Sequence, residues 1–136
     1  MPRPEALREA RDWVVRATRD LQAVAMAVEG TRCLPEIAAY HAQQAAEKAL
    51  KAFLVAHDQP FPPTHNVERL VQLCEALDSD FVRLAAAART LTPYATLFRY
   101  PGGLLEPPLS EAQDAQRLAR EIVEFVQQRL PGDVTT

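Results

Sequence analysis

The sequence predicts an all-α protein, a five-helix up-and-down bundle forming one domain over residues 1–136. Three observations carry this expectation. The 11 prolines and 4 glycines fall in clusters at Pro2/Pro4, Gly30/Pro35, Pro60/Pro62/Pro63, Pro93, Pro101 to Pro108 and Pro131/Gly132, the layout of helices joined by short loops. Between the clusters, apolar residues recur at intervals of three and four. No stretch alternates apolar and polar residues as a half-buried strand does.

The first helix is predicted over about Pro4 to Glu29. Leu7, Val14, Leu21 and Val28, with Ala10, Ala17 and Val24 between them, form a single stripe that needs a partner helix. Pro4 suits a first turn and Gly30 an end. The second helix, about Leu34 to His57, is apolar nearly all round and therefore belongs in the middle of the bundle. Ala38, Ala42, Ala45, Ala49 and Ala52 make a small-residue ridge, while Ile37, Ala46, Leu50, Phe53 and Leu54 cover other faces. A narrow polar stripe of His41, Gln44, Lys48 and Lys51 remains, with Glu47 spaced to pair with Lys51. Val67, Leu70, Val71, Cys74 and Leu77 mark a short third helix, with Thr64, His65 or Asn66 serving its start. Phe81, Leu84, Ala85, Ala88 and Leu91 mark a fourth, capped by Ser79 or Asp80 and broken or kinked at Pro93. The last helix opens at Ser110, where Ser-Glu-Ala-Gln reads as a capping box. It buries Ala112, Ala115, Ala119, Ile122 and Val126. The long first, second and last helices are expected to pack roughly antiparallel.

Composition narrows the function classes. A hydrophobic fraction of 48% and a charged fraction of 24% are globular averages, unlike those of a disordered tail, a fibre or a membrane protein. The run Leu84 to Ala88 is far shorter than the ~18 residues of a membrane span. Met1 to Glu5 leads directly into a charged periodic segment and not into a secretory signal, and Cys33 and Cys74 read as small buried hydrophobes, so a cytoplasmic location is expected. The net charge of −3 argues against gripping duplex nucleic acid as the main task. Yet Asp80 is the lone acid against Arg83, Arg89 and Arg99 between residues 80 and 103, which leaves room for a local basic site as well as for ordinary solvated faces.

Common catalytic patterns are missing. The sequence has no glycine-rich phosphate loop, no HExxH and no Cys/His cluster, and its three histidines lie on different elements, so neither a metal nor a cofactor is expected. Ser79 and Ser110 look like caps and not like nucleophiles. The segment from Tyr94 to Gly103 stands out. Pro101-Gly102 is a type II turn signal that holds Arg99 and Tyr100 at a helix end. An arginine fork beside phenols suits a phosphate with a base stacked nearby. The same residues equally suit a helix-end cap or ion pair with tyrosines packed at a loop edge. Tyr94 and Phe98, four apart, share a face, and Arg99 projects about a quarter-turn away. The candidate nucleotide- or RNA-binding set is Arg99, Tyr100 and Tyr94, with His41 and Lys48 of the second helix as the opposite wall. His41 reads either as a hydrogen-bonded interior histidine or as an acid–base group.

Three separated motifs then point to a family. Tyr40-His-Ala-Gln-Gln-Ala-Ala-Glu-Lys-Ala-Leu-Lys-Ala-Phe-Leu54, Pro63-Thr-His-Asn-Val-Glu-Arg-Leu70, and Tyr94 followed by Arg99-Tyr-Pro-Gly102 resemble the HEPN family in order and spacing, over roughly Glu5 to Leu130. The resemblance implies an HEPN-like helical bundle, a homodimer, and partnership with a minimal nucleotidyltransferase in a toxin–antitoxin pair. It also implies either nucleotide binding or metal-independent ribonuclease activity. The dimer draws further support from the surplus apolar surface of the second helix and from Leu104-Leu105. Ribonuclease members carry Arg-x4-6-His, in which the histidine moves protons and the arginine stabilises the pentavalent phosphate. After Arg99 the permitted histidine positions hold Leu104, Leu105 and Glu106. Arg99 keeps the anion-binding half, and an endonuclease would need His41 or His65 from another helix. The catalytic residues, if any, are left unassigned.

Overall fold

The computed structural model describes residues 3–98, 106–132 and 134. Among these residues the elements are α1 (Pro4–Glu29), α2 (Pro35–Ala56), α3 (Val67–Glu75), α4 (Ala85–Leu91) and α5 (Leu109–Gln127), with two short 3-10 segments and no strand. The all-α, five-helix expectation is met.

α1 and α2 form an antiparallel hairpin that is tied at both ends. At the closed end the Leu34 amide donates to the Ala27 carbonyl at 2.9 Å. At the open end the Arg3 guanidinium forks onto the Asp58 carboxylate at 2.8 and 2.7 Å. Asp58 has φ 54°, a left-handed conformation that lets the Gln59 amide reach back to the Leu54 carbonyl at 2.8 Å and close the last turn. At the other turn α1 ends at Gly30, where the expected end falls, but in extended backbone and for a steric reason. A Cβ there would lie 2.6 Å from the Met26 carbonyl oxygen.

α2 occupies the centre. It packs most extensively on α1, then on α5, and touches α3 and α4 as well. Every alanine of its predicted ridge is buried, as are Leu50, Phe53 and Leu54. Side chains this small let neighbouring backbones approach closely, and the larger ones fill the space towards α5 and the short helices. Phe53 of α2, Phe81 and Phe125 of α5 form an aromatic chain with centroids 4.5 and 5.0 Å apart.

Several local expectations are corrected. The buried line of α1 runs through Ala6, Ala10, Val14, Ala17, Asp20, Val24, Ala27 and Val28, with Leu7 and Leu21 only partly covered. The fourth helix is two pieces, a 3-10 segment Ser79–Leu84 and α4, and its cap is Asp78, whose carboxylate accepts from the Asp80 amide. Ser110 does not cap α5. Helical backbone already begins at Leu109, and the Pro108 carbonyl accepts from the Glu111 and Ala112 amides, so Ser110 falls inside the first turn. Cys33 is exposed at the α1–α2 turn, whereas Cys74 is buried as expected. Ile37 is also exposed, at 42%. Asn66 does cap α3, accepting from the Arg69 amide at 3.0 Å.

Leu50 is fully buried at the centre of α2. Leu50→Ala is expected to lower unfolding stability by about 2–5 kcal/mol, read as a fall in the urea midpoint at unchanged m-value.

Candidate functional site

The polar residues of α2 divide into two clusters, each built around one buried carboxylate. The first belongs to Asp20 of α1, only 7% exposed. Its Oδ1 accepts from His41 Nδ1 at 2.8 Å and its Oδ2 from Lys48 Nζ at 2.7 Å. His41 and Lys48 lie seven residues apart, about two helical turns, so one carboxylate reaches both and staples α1 to α2. His41 and Lys48 remain partly exposed, and the Tyr40 ring meets the His41 imidazole edge-on at 5.2 Å. A carboxylate at Nδ1 requires the proton on that nitrogen, which makes Nε2 the acceptor of the neutral ring.

The second cluster surrounds Glu47, 3% exposed. Its Oε1 accepts from Gln43 Nε2 and from His65 Nδ1, both at 3.0 Å, and its Oε2 accepts from Lys51 Nζ at 2.8 Å. The Glu47–Lys51 pair expected from the spacing is therefore present, but buried and not on the surface. The Lys51 ammonium lies 5.4 Å from the Trp13 ring centroid and 5.7 Å from that of Phe61, a cation–π setting that offsets part of its lost hydration. Gln43 also donates to the His65 carbonyl at 2.8 Å, so the loop before α3 is fixed to α2. Burial pushes the Glu47 carboxyl up. The hydrogen bonds from Lys51, Gln43 and His65, with the Lys51 charge, outweigh it and hold the group below its ordinary value of 4.5.

Tyr94 sits in a third place. Its hydroxyl donates to Glu111 of α5, and its ring stacks on Phe98 with centroids 6.0 Å apart, the shared face expected from their spacing. Burial, followed by the bond to Glu111 and its charge, pushes the phenol well above its ordinary range. The structure thus brings His41 and Lys48 together on Asp20 and ties Tyr94 to α5. Arg99 and Tyr100 lie outside the described residues. Among the described residues no group of three or more His, Cys, Asp or Glu side chains is arranged to hold a metal ion, and no helix is long and apolar enough to cross a membrane.

Sequence reasoning missed Asp20 and Gln43. Asp20 had a signal: it falls on the apolar line of α1 between Ala17 and Val24, where a carboxylate needs a buried partner. Gln43 had the weaker one of sitting four residues before Glu47 on a helix with few polar positions.

A family model described as "HEPN domain" matches residues 10–129. Among solved structures, the chain is similar to TT1696 from Thermus thermophilus, with 31% identity, a TM-score of 0.72 and coverage of 90% of this chain and 98% of that one. It is also similar to ST0689, described as an archaeal HEPN homologue, with 25% identity, a TM-score of 0.72 and the same coverage. No curated protein matches it.

The carboxylate clusters generate two predictions. A group whose folded pKa is depressed contributes stability above its unfolded value and loses it as pH falls through the folded one. Unfolding measured across pH should therefore show a loss below about 4.5 that is shallower in Glu47→Gln, a variant already less stable at neutral pH because Lys51 loses its counter-charge. Asp20→Ala is expected to cost about 1–3 kcal/mol, whereas a solvated pair costs under about 1 kcal/mol. Chemical denaturation distinguishes the two.

Proposed function

Because the chain belongs to the HEPN family, we propose that it acts in the cytoplasm as a homodimeric partner of a minimal nucleotidyltransferase, in a toxin–antitoxin-type module. It binds a nucleotide or RNA phosphate through Arg99 and Tyr100, with Tyr94, His41 and Lys48 completing the site. The observation that carries this reading is the Asp20 staple, which holds the His41 ring and the Lys48 ammonium in fixed positions at a partly exposed rim, the ammonium with N–H groups left to donate. Such preorganisation lowers the ordering cost of binding an anion. Leu104, Leu105 and Glu106, in place of the ribonuclease histidine, support binding without cleavage.

One observation favours a second reading, a metal-independent RNA endonuclease. Asp20 fixes the His41 tautomer with Nε2 as acceptor, the form that a general base requires. In that reading His41 takes the proton of the ribose 2′-hydroxyl as its oxygen attacks the phosphorus, the P–O5′ bond breaks to leave a 2′,3′-cyclic phosphate and a 5′-oxygen that takes a proton from water, and Arg99 stabilises the charge of the pentavalent phosphate.

Purified protein incubated with RNA in EDTA separates the two. The binding reading expects intact RNA, and an affinity for nucleotide or RNA that falls about tenfold to a hundredfold in Arg99→Ala at nearly unchanged melting temperature. Cleavage in EDTA that is lost in His41→Ala would establish the endonuclease instead. A lower melting temperature for Arg99→Ala with unchanged binding would make Arg99 a structural cap. Co-purification with a nucleotidyltransferase encoded beside the chain tests the partner.

A further inference from the structure

The exposed face of α5 carries a surface groove of about 500 Å³ that is lined only by residues of α5 and its C-terminal cap, Gln128. Gln116, only 7% exposed, lies at its edge.

The charges around it have a particular order. Arg117 and Arg120 lie towards the N-terminal end of the groove, and Glu121 and Glu124 towards the C-terminal end. Although Arg117/Glu121 and Arg120/Glu124 have the spacing for pairs along the helix, the structure does not make them. Arg117 approaches Asp114 at 3.8 Å with both side chains about two-thirds exposed, and Arg120, Glu121 and Glu124 take part in no ion pair among the described residues.

We propose that this face of α5 packs antiparallel against the same face of a second copy of the chain, on a two-fold axis through the midpoint between Arg120 and Glu121. In that single register Arg120 faces the partner's Glu121 and Arg117 faces the partner's Glu124. Gln113 faces the partner's Gln128 at the rim. The pattern is self-complementary, as an isologous interface demands, and all of these residues line the same groove. Charge complementarity of this kind selects partner and register. The interface is polar, so its strength falls with salt.

This inference rests on the homodimer reading and assigns its surface. The test is analytical ultracentrifugation of full-length wild type, Arg117→Glu, Glu124→Arg, the double variant, and an equimolar mixture of the two single variants, at about 50 mM and about 500 mM salt. Each single variant sets like charges opposite one another in its own homodimer, so its dissociation constant should rise at least tenfold (about 1.4 kcal/mol). The mixture restores both pairs in a heterodimer, and the double variant restores them in a homodimer. Far-ultraviolet circular dichroism confirms that the single variants fold. Single variants as dimeric as wild type would overturn the α5 assignment and leave the homodimer standing. Monomeric single variants whose mixture does not associate would overturn it too. A wild type monomeric at every concentration would overturn the homodimer reading along with it.

Discussion

Burial of α2 on nearly every side is the constraint on which the rest of the structure depends. A helix in that position can carry a polar side chain only where a partner meets it. The chain supplies such partners from every direction: Asp20 from α1 for His41 and Lys48, His65 from the loop before α3 for Gln43 and Glu47, and the Trp13 and Phe61 rings for Lys51. The polar contacts of α2 therefore fix how its neighbours are placed. Apolar packing brings α1 and α3 against α2, and the carboxylates set their position along its length. This is the specificity role that buried polar groups serve in some folds, where well-packed hydrophobic replacements can match their stability.

Much of the architecture was legible because helices advertise themselves through period and punctuation. The alanine ridge and the Tyr94–Phe98 face follow from spacing, and the sequence narrows the start of α3 to Thr64, His65 or Asn66, of which the structure uses Asn66. The failures share one physical origin, in that local sequence does not say which of several adjacent groups the backbone will use. Ser110 can cap a helix, but the Pro108 carbonyl starts the helical turn earlier and leaves that hydroxyl unused. Asp78, Ser79 and Asp80 all have capping side chains, and the choice of Asp78 depends on a 3-10 turn that holds Phe81 in the core. Cys33 looked buried by type, yet the short α1–α2 turn leaves it outside. For the site, the donors His41 and Lys48 could be read from the sequence. Their common acceptor lies 21 residues before the nearer of them, a distance that no helical periodicity spans.

Anion binding and proton transfer are separable tasks. A phosphate needs donors held still and charge of the right sign, whereas attack by a ribose hydroxyl also needs a base within hydrogen-bond reach of that oxygen. The family motif places both functions on one short segment. In this chain Leu104, Leu105 and Glu106 leave only the arginine there, so any base has to come from a different element. The Asp20 staple gives His41 the orientation of a base, but orientation is only one of two requirements. The other is proximity to Arg99, and it decides between the two functional readings.

The two buried side-chain polar atoms without partners among the described residues are not equivalent. Glu36 Oε2 and Gln116 Nε2 are both enclosed. Glu36 lies in the first turn of α2, where the positive end of the helix dipole favours a carboxylate. Gln116 lies in the second turn of α5 and is an uncharged amide whose orphan is a donor, which that positive end cannot satisfy. The intrahelical carbonyls are already engaged in the helix, and the atom is enclosed by the protomer itself, so leaving it unpaired costs about 1–3 kcal/mol. The neighbouring face carries an ordered sequence of two arginines followed by two glutamates, with no ion-pair partner for either glutamate among the described residues. A face that runs from two arginines to two glutamates matches its own copy in charge when one is turned through a half-rotation, which is the arrangement proposed for α5.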